Sequence, residues 1–266
     1  MPASPLRFLH TADWQLGKPY ARVSDPDKRA LLRQERLATI GRIGAVARQH
    51  GASFVLVAGD LFDSPTPSSS DVSAVCQAIG KLELPVLVIP GNHDHGAPGS
   101  VWHTPFFQAE QRRRAPNLQV LLERRPLLLE QAVLLPCPLL RKAEPVDPTA
   151  WLRQLDFSAW SDQPRIVLAH GSIQGFGAEE NVDIDDENPP VPTNRIDLSA
   201  LPPGEIDYVA LGDWHGLKQV APRAWYAGCH EMDRFPRAAH ELAVEVKVVQ
   251  GQKAQHEHLS GEVEVP

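Results

Sequence analysis

Short apolar runs rich in β-branched residues alternate along this chain with longer segments of helical period. Five runs stand out: Leu6 to Leu9, Phe54 to Ala58, Val86 to Ile89, Ile166 to Ala169 and Tyr208 to Leu211. Each has strand length. Between them, Leu37, Ile40, Ile43 and Val46 recur about every third or fourth residue, and Val72, Val75, Cys76 and Ile79 fall at i, i+3, i+4 and i+7. Both patterns predict helices with one apolar face. Pro65, Pro67 and the run Ser68 to Asp71 supply a stop and then an N-cap for the second of them. Leu242 to Val249 is a further strand-like stretch. The alternation is that of α/β architecture.

The residues that follow the apolar runs carry the chemistry. The first run leads into His10-Thr-Ala-Asp13-Trp-Gln15, the second into Gly59-Asp60-Leu-Phe-Asp63 and the third into Gly91-Asn92-His93-Asp94-His95. The fourth leads into His170-Gly171 and the fifth into Gly212-Asp213-Trp-His215. One Asp or Asn after a strand is an ordinary turn former. Five endings bearing carboxylate, imidazole or amide oxygen are a different matter, because ligands of α/β sheets sit outside the carboxyl ends of the strands. If the strands share one sheet, these side chains converge on a rim suited to Mn²⁺, Fe²⁺ or Zn²⁺ rather than Ca²⁺.

Composition narrows the picture. With 266 residues, 42% hydrophobic and 22% charged, the chain is long enough for one large domain or one domain with an appendage. No apolar run approaches the roughly 18 residues of a membrane span, and the first ten residues lack a signal core, so a cytoplasmic protein without a membrane partner is expected. Cys76, Cys137 and Cys229 are odd in number and far apart, which argues against a disulfide framework or a cysteine zinc site. A net charge of −7 disfavours a sequence-independent DNA coat spread over the whole surface, so any contact with nucleic acid is expected to be local.

The segments DWQ, GDLFD, GNHD, HG and GDWH, in that order and spacing, resemble the five motifs of the calcineurin-like binuclear metallophosphoesterases. More narrowly, FLHTADWQLGKPY, VLVAGDLFDS and VIPGNHDH are similar to the SbcD-type nucleases of DNA double-strand-break repair. The resemblance covers residues 6 to 230. It implies a four-layer α/β (α+β) fold, a central two-sheet β-sandwich flanked by helices, with metals at the strand ends. It also implies that Asp60 bridges two divalent ions, that Asp13, Gln15 and His215 complete one site, and that Asn92, His170 and Asp213 complete the other. By the same resemblance His93 stabilises the transition state and protonates the leaving oxygen, while Asp63 and Asp94 orient His93 or neighbouring ligands.

Two positions depart from the commonest family pattern, which has histidine where this chain has Gln15 and Asp213. Each metal thereby exchanges a nitrogen donor for oxygen, which favours manganese, with iron or zinc as the other metals such a donor set would accept. The expected activity is hydrolysis by metal-activated water, most simply a manganese-dependent DNA nuclease, endo- or exonucleolytic, acting in repair on single strands or ends. A phosphodiesterase or phosphatase for a small nucleotide is the alternative, supported by the net charge. A metal-poor binding module is the third reading.

SbcD-type subunits usually continue into a DNA-contacting cap and a segment for an SMC-like ATPase. After Tyr226 this chain offers little more than the strand-like stretch, so a single catalytic domain over 1–266, without a complete cap or the ATPase partner, is expected. Six carboxylates between Glu179 and Glu187, flanked by Pro189, Pro190 and Pro192, read as an acidic, Pro-rich loop insertion at about 174–205. His10, His95 and His103 read as structural or surface histidines. Trp14, Tyr20, Trp102, Phe106, Phe107, Phe176 and Trp214 flank the motifs, where core packing outweighs base stacking for any one of them. Arg112, Arg113 and Arg114, with Arg124 and Arg125, read as solvated faces before phosphate sites.

Overall fold

A computed structural model of the chain describes residues 6–173, 193–230, 243–248 and 255–259. In chain order the elements are β1 (Leu6–Thr11), α1 (Pro26–Gln49), β2 (Val55–Ala58), α2 (Ser69–Gly80), β3 (Val86–Ile89), α3 (Pro105–Arg114), β4 (Leu118–Val120), β5 (Leu127–Leu128), β6 (Val133–Cys137), β7 (Arg165–His170), β8 (Ser172–Ile173), β9 (Arg195–Ile196), β10 (Tyr208–Gly212), β11 (Lys218–Ala221), β12 (Ala224–Tyr226), β13 (Ala243–Val248) and β14 (Gln255–Leu259). The five apolar runs are all strands. They do not share one sheet, however. β1, β2 and β3 lie in a sheet ordered β14-β13-β1-β2-β3-β4, whereas β7 and β10 lie in a second, ordered β11-β12-β10-β7-β6-β5.

Period-two alternation explains the stacking of these sheets. Phe8, Leu56 and Leu87 of the first sheet meet Leu134, Ile166, Leu168 and Tyr208 of the second, forming the interior of the sandwich. Their neighbours Leu9, Val55, Val57, Val86 and Val88 point the other way, onto Ile40 and Ile43 of α1, Val72, Val75 and Ile79 of α2, and Phe107 of α3. Burying each such side chain stabilises the fold by about 1.5–3 kcal/mol. The outer face of the second sheet, with Val133, Leu135, Val167, Val209 and Leu211, is covered by Leu152, Phe157 and Ile196. There the cover consists of short 3₁₀ turns at Ala150–Gln154, Ser158–Trp160 and Leu198–Ala200 and loops, rather than α-helices, among the described residues.

Ser68 caps α2 by accepting from the Asp71 amide (3.1 Å), as its position in the sequence predicts. Helix α1 begins earlier than its apolar spacing indicates: Asp25 accepts from the amides of Asp27 and Lys28 (2.9 and 3.2 Å), and Pro26 opens the first turn. Its buried face starts only at Arg36. A buried polar bridge ties the sheets together behind the site. His10 Nε2 donates to the Leu211 carbonyl (3.1 Å), and His10 Nδ1 accepts from the Tyr208 hydroxyl (3.0 Å).

Candidate metal centre

Beyond the ends of β1 and β2 the two chains stay paired. The amides of Asp13, Gln15 and Leu16 donate to the carbonyls of Gly59, Asp60 and Leu61 (3.1, 2.8 and 2.9 Å), and the Asp63 amide donates back to Leu16 (3.0 Å). Within this pairing Asp13, Gln15 and Asp60 adopt left-handed backbone, with φ of 53°, 43° and 55°. A side chain held there costs on the order of 1–2 kcal/mol, so the surrounding structure must impose it. Two glycines make room. A Cβ on Gly59 would lie 2.1 Å from His170 Nδ1, and one on Gly91 would lie 2.1 Å from Asp60 Oδ1.

The second sheet brings His170, the last residue of β7, against this pair of loops. Its Nδ1 donates to the Ala58 carbonyl (2.8 Å), which aims Nε2 at Asn92 Oδ1 (2.9 Å), Asp213 Oδ1 (3.7 Å) and Asp60 Oδ2 (3.8 Å). Ligand atoms of Asp13, Asp60 and His170 all lie within 4.8 Å of one another, and all three residues are buried. The Asp213 amide donates to both oxygens of Asp13 (3.3 and 3.2 Å), and the Ser172 hydroxyl donates to Asp213 Oδ2 (2.7 Å). Asp213 keeps 28% of its side chain exposed.

Electrostatics follow from this crowding. Burial holds the Asp13 carboxyl well above the usual range, Asp60 and Asp213 add to the shift, and His170 opposes it. For His170, burial favours the neutral ring, yet Asp60, Asp13 and Asp213 together push it up to about 9. Buried carboxylates gathered around a single imidazole form a donor set in need of cation charge, so the residues fit divalent metal.

The other predicted site residues lie around this cluster. His93 donates through Nδ1 to the backbone carbonyl of Asp63 (3.1 Å), its side chain 41% exposed, and its amide donates to Asp60 Oδ1 (2.9 Å). The Asp63 carboxylate is farther from that ring, at 3.9 Å, and burial raises it, with His93, Lys18 and Arg36 opposing. Asp94 faces the backbone. It accepts from the amides of Phe62 (3.0 Å) and Gly91 (2.8 Å), clamping the loops that carry Asp60 and Asn92. Burial, with Asp60 adding, pushes it up to about 7. Gln15 Nε2 lies 3.3 Å from Nε2 of the exposed His215, and Gln15 Oε1 accepts from Lys18 Nζ (2.7 Å).

Lys18 and Ser172 escaped sequence reasoning, since a lone Lys or Ser beside a motif carries no spacing signal. Of the flanking aromatics, Trp14, Trp102 and Phe107 are buried in the core, whereas Phe106 is 43% exposed. His103 bonds the Gly96 carbonyl (3.0 Å). Arg113 and Arg114 pair with Glu110, Arg124 with Glu144 and Arg125 with Glu123. Most of the acidic insertion, residues 174–192 with Phe176, lies outside the described residues.

With this geometry in place, comparison with known proteins is decisive at the level of family. Residues 6–246 match the calcineurin-like phosphoesterase family. This chain is a calcineurin-like phosphoesterase. The chemistry of the family is metal-dependent hydrolysis of phosphoesters, and the Asp13, Asp60 and His170 cluster is where this phosphoesterase could hold its metal. Its fold is similar to that of a solved crystal structure with a TM-score of 0.54 at 13% identity, covering 96% of this chain and 100% of that one. It is also similar to TT1561 of Thermus thermophilus, with a TM-score of 0.52 at 13% identity, covering 96% of this chain and 99% of that one. No helix among the described residues is long and apolar enough to cross a membrane.

Proposed function

We propose that this phosphoesterase is a manganese-dependent DNA nuclease of SbcD-like type, a single catalytic domain that cleaves phosphodiesters in DNA repair. The observation that carries the reading is the meeting of side chains from both sheets around Asp60, with His93 at the open rim. In this reading Asp60 would help hold both of two cations, Asp13, Gln15 and His215 would hold one of them, and Asn92, His170 and Asp213 would hold the other. Two such ions, when bound, activate water and offset charge on the phosphoryl oxygens. The oxygen-rich donors Gln15, Asn92 and Asp213 support manganese over zinc.

The remaining steps belong to the chain. His93 Nδ1 carries its hydrogen on the Asp63 carbonyl, leaving Nε2 to face substrate, stabilise the transition state and give a proton to the departing oxygen. Asp94 holds the loops of Asp60 and Asn92 in register through two backbone amides. DNA over other phosphodiesters is supported by the similarity of the segments 8–20, 55–64 and 88–95 to SbcD-type nucleases.

Circular single-stranded DNA, linear duplex and cyclic nucleotides, each offered with Mn²⁺, test the reading. Cleavage of DNA is expected, of the circle as well as the duplex for an endonuclease and of the linear duplex alone for an exonuclease. Turnover confined to cyclic nucleotides would replace this reading with the small-nucleotide phosphodiesterase that a net charge of −7 favours.

A further inference from the structure

We propose that Lys18 is a positioning residue for the Gln15 amide, holding its nitrogen rather than its oxygen toward His215 and so making the Gln15–His215 side the weaker of two cation positions. This rests on the metal reading above. Only the oxygen of a side-chain amide can ligate a cation, because the nitrogen lone pair is delocalised and its hydrogens are donors. An ammonium carries three donors and no acceptor, so the Gln15 atom 2.7 Å from Lys18 Nζ has to be the oxygen. The amide nitrogen is then the end that meets His215 Nε2, at 3.3 Å.

The opposite position is arranged the other way. Asn92 already presents Oδ1 toward His170 Nε2, at 2.9 Å. To ligate beside His215, Gln15 must turn its amide over and break the Lys18 bond, and the turned amide would set its hydrogens against the ammonium.

The backbone under Lys18 does not yield easily. Its amide donates to the Gln15 carbonyl (3.3 Å), Arg33 donates to the carbonyls of Lys18 and Pro19 (3.2 Å each), and Arg36 donates to that of Trp14 (2.9 Å). The lysine is therefore delivered to Gln15 by a pinned turn, and occupation of the second position is set by a contest between one charge-assisted hydrogen bond and one metal–oxygen contact.

Calorimetric titration of the full chain with MnCl₂ tests this in four proteins: wild type, Lys18→Met, Gln15→His and the double variant. Wild type is expected to bind two ions of unequal affinity. Lys18→Met should tighten the weaker ion by about tenfold, the equilibrium value of one charge-assisted hydrogen bond. In the Gln15→His background, where no amide oxygen is held, Lys18→Met should change little. Equal tightening in both backgrounds would mean charge repulsion alone and overturn the proposal, as would two ions bound with no effect of Lys18→Met, which leaves the metal reading standing. A chain that binds no Mn²⁺ in any of the four forms overturns both.

Discussion

The two loops that extend β1 and β2 and the loop that follows β10 contribute to the same cluster in different ways. Asp13, Gln15 and Asp60 sit on backbones zipped together by four hydrogen bonds, in left-handed conformations, with at most 1% of each residue exposed. Asp213 is 28% exposed and takes its orientation from one serine hydroxyl and its own amide, and His215 is exposed. Asp213 shares the positive φ, at 105°, so the difference lies in solvent: one side is closed to it and the other borders it. A site that must hold charge rigidly yet admit and release a phosphoester has use for both kinds of wall.

The sharpest way to break this contrast is Asp60→Asn, which keeps shape but removes the central anion. Turnover should fall well beyond the about 100-fold typical of losing an outer-shell partner, and metal content after dialysis should fall with it. Retained metal would show that the buried side is not the anchor. Ser172→Ala tests the solvent-facing side. Losing the hydroxyl that steers Asp213 should cost about 10-fold in activity, with little change in melting temperature, and a loss equal to that of Asp60→Asn would erase the distinction between the sides.

The smallest effect concerns the bridge joining the two sheets. Burial pushes His10 down to about 3 from its ordinary 6.5, with its bond to the Leu211 carbonyl opposing. Between these values the unfolded chain takes a proton that the folded chain refuses, so stability is full above 6.5 and declines as pH falls. Urea unfolding of wild type should lose roughly 1 kcal/mol between pH 6.5 and 5.5 from this group. His10→Asn should remove that slope, and an unchanged slope would assign the acid sensitivity elsewhere.

Much of this was legible in advance, for identifiable reasons. Strands buried on both faces are continuous apolar runs, so the cores of β1, β2, β3, β7 and β10 could be read to within two residues at either end, and Ser68 marked the start of α2. Short edge strands such as β5, β8 and β11 are two to four residues long and pack on few neighbours, leaving no pattern to read. The exposed first half of α1 has no apolar stripe and is set by its cap and proline alone. The division of the five runs between two sheets is a matter of pairing, which periodicity does not encode. At the site, the family resemblance pointed to Asp13, Asp60, Asn92, His170 and Asp213, whose side chains lie together in the structure. It gave no hint that Asp94 would spend both oxygens on backbone amides, or that a lysine three residues past Gln15 would reach back to it.

The hydrogen bonds from the amide of Asp213 to the carboxylate of Asp13 span 200 positions of sequence. During synthesis, therefore, the amino-terminal carboxylates emerge from the ribosome long before the residues that complete their surroundings, at translation rates of about 5–20 residues per second. For that interval the nascent chain holds a nest of anions without its finished walls, and any cation it captures is held by an incomplete set of donors. The full set of donors therefore exists only once the chain has grown past His215.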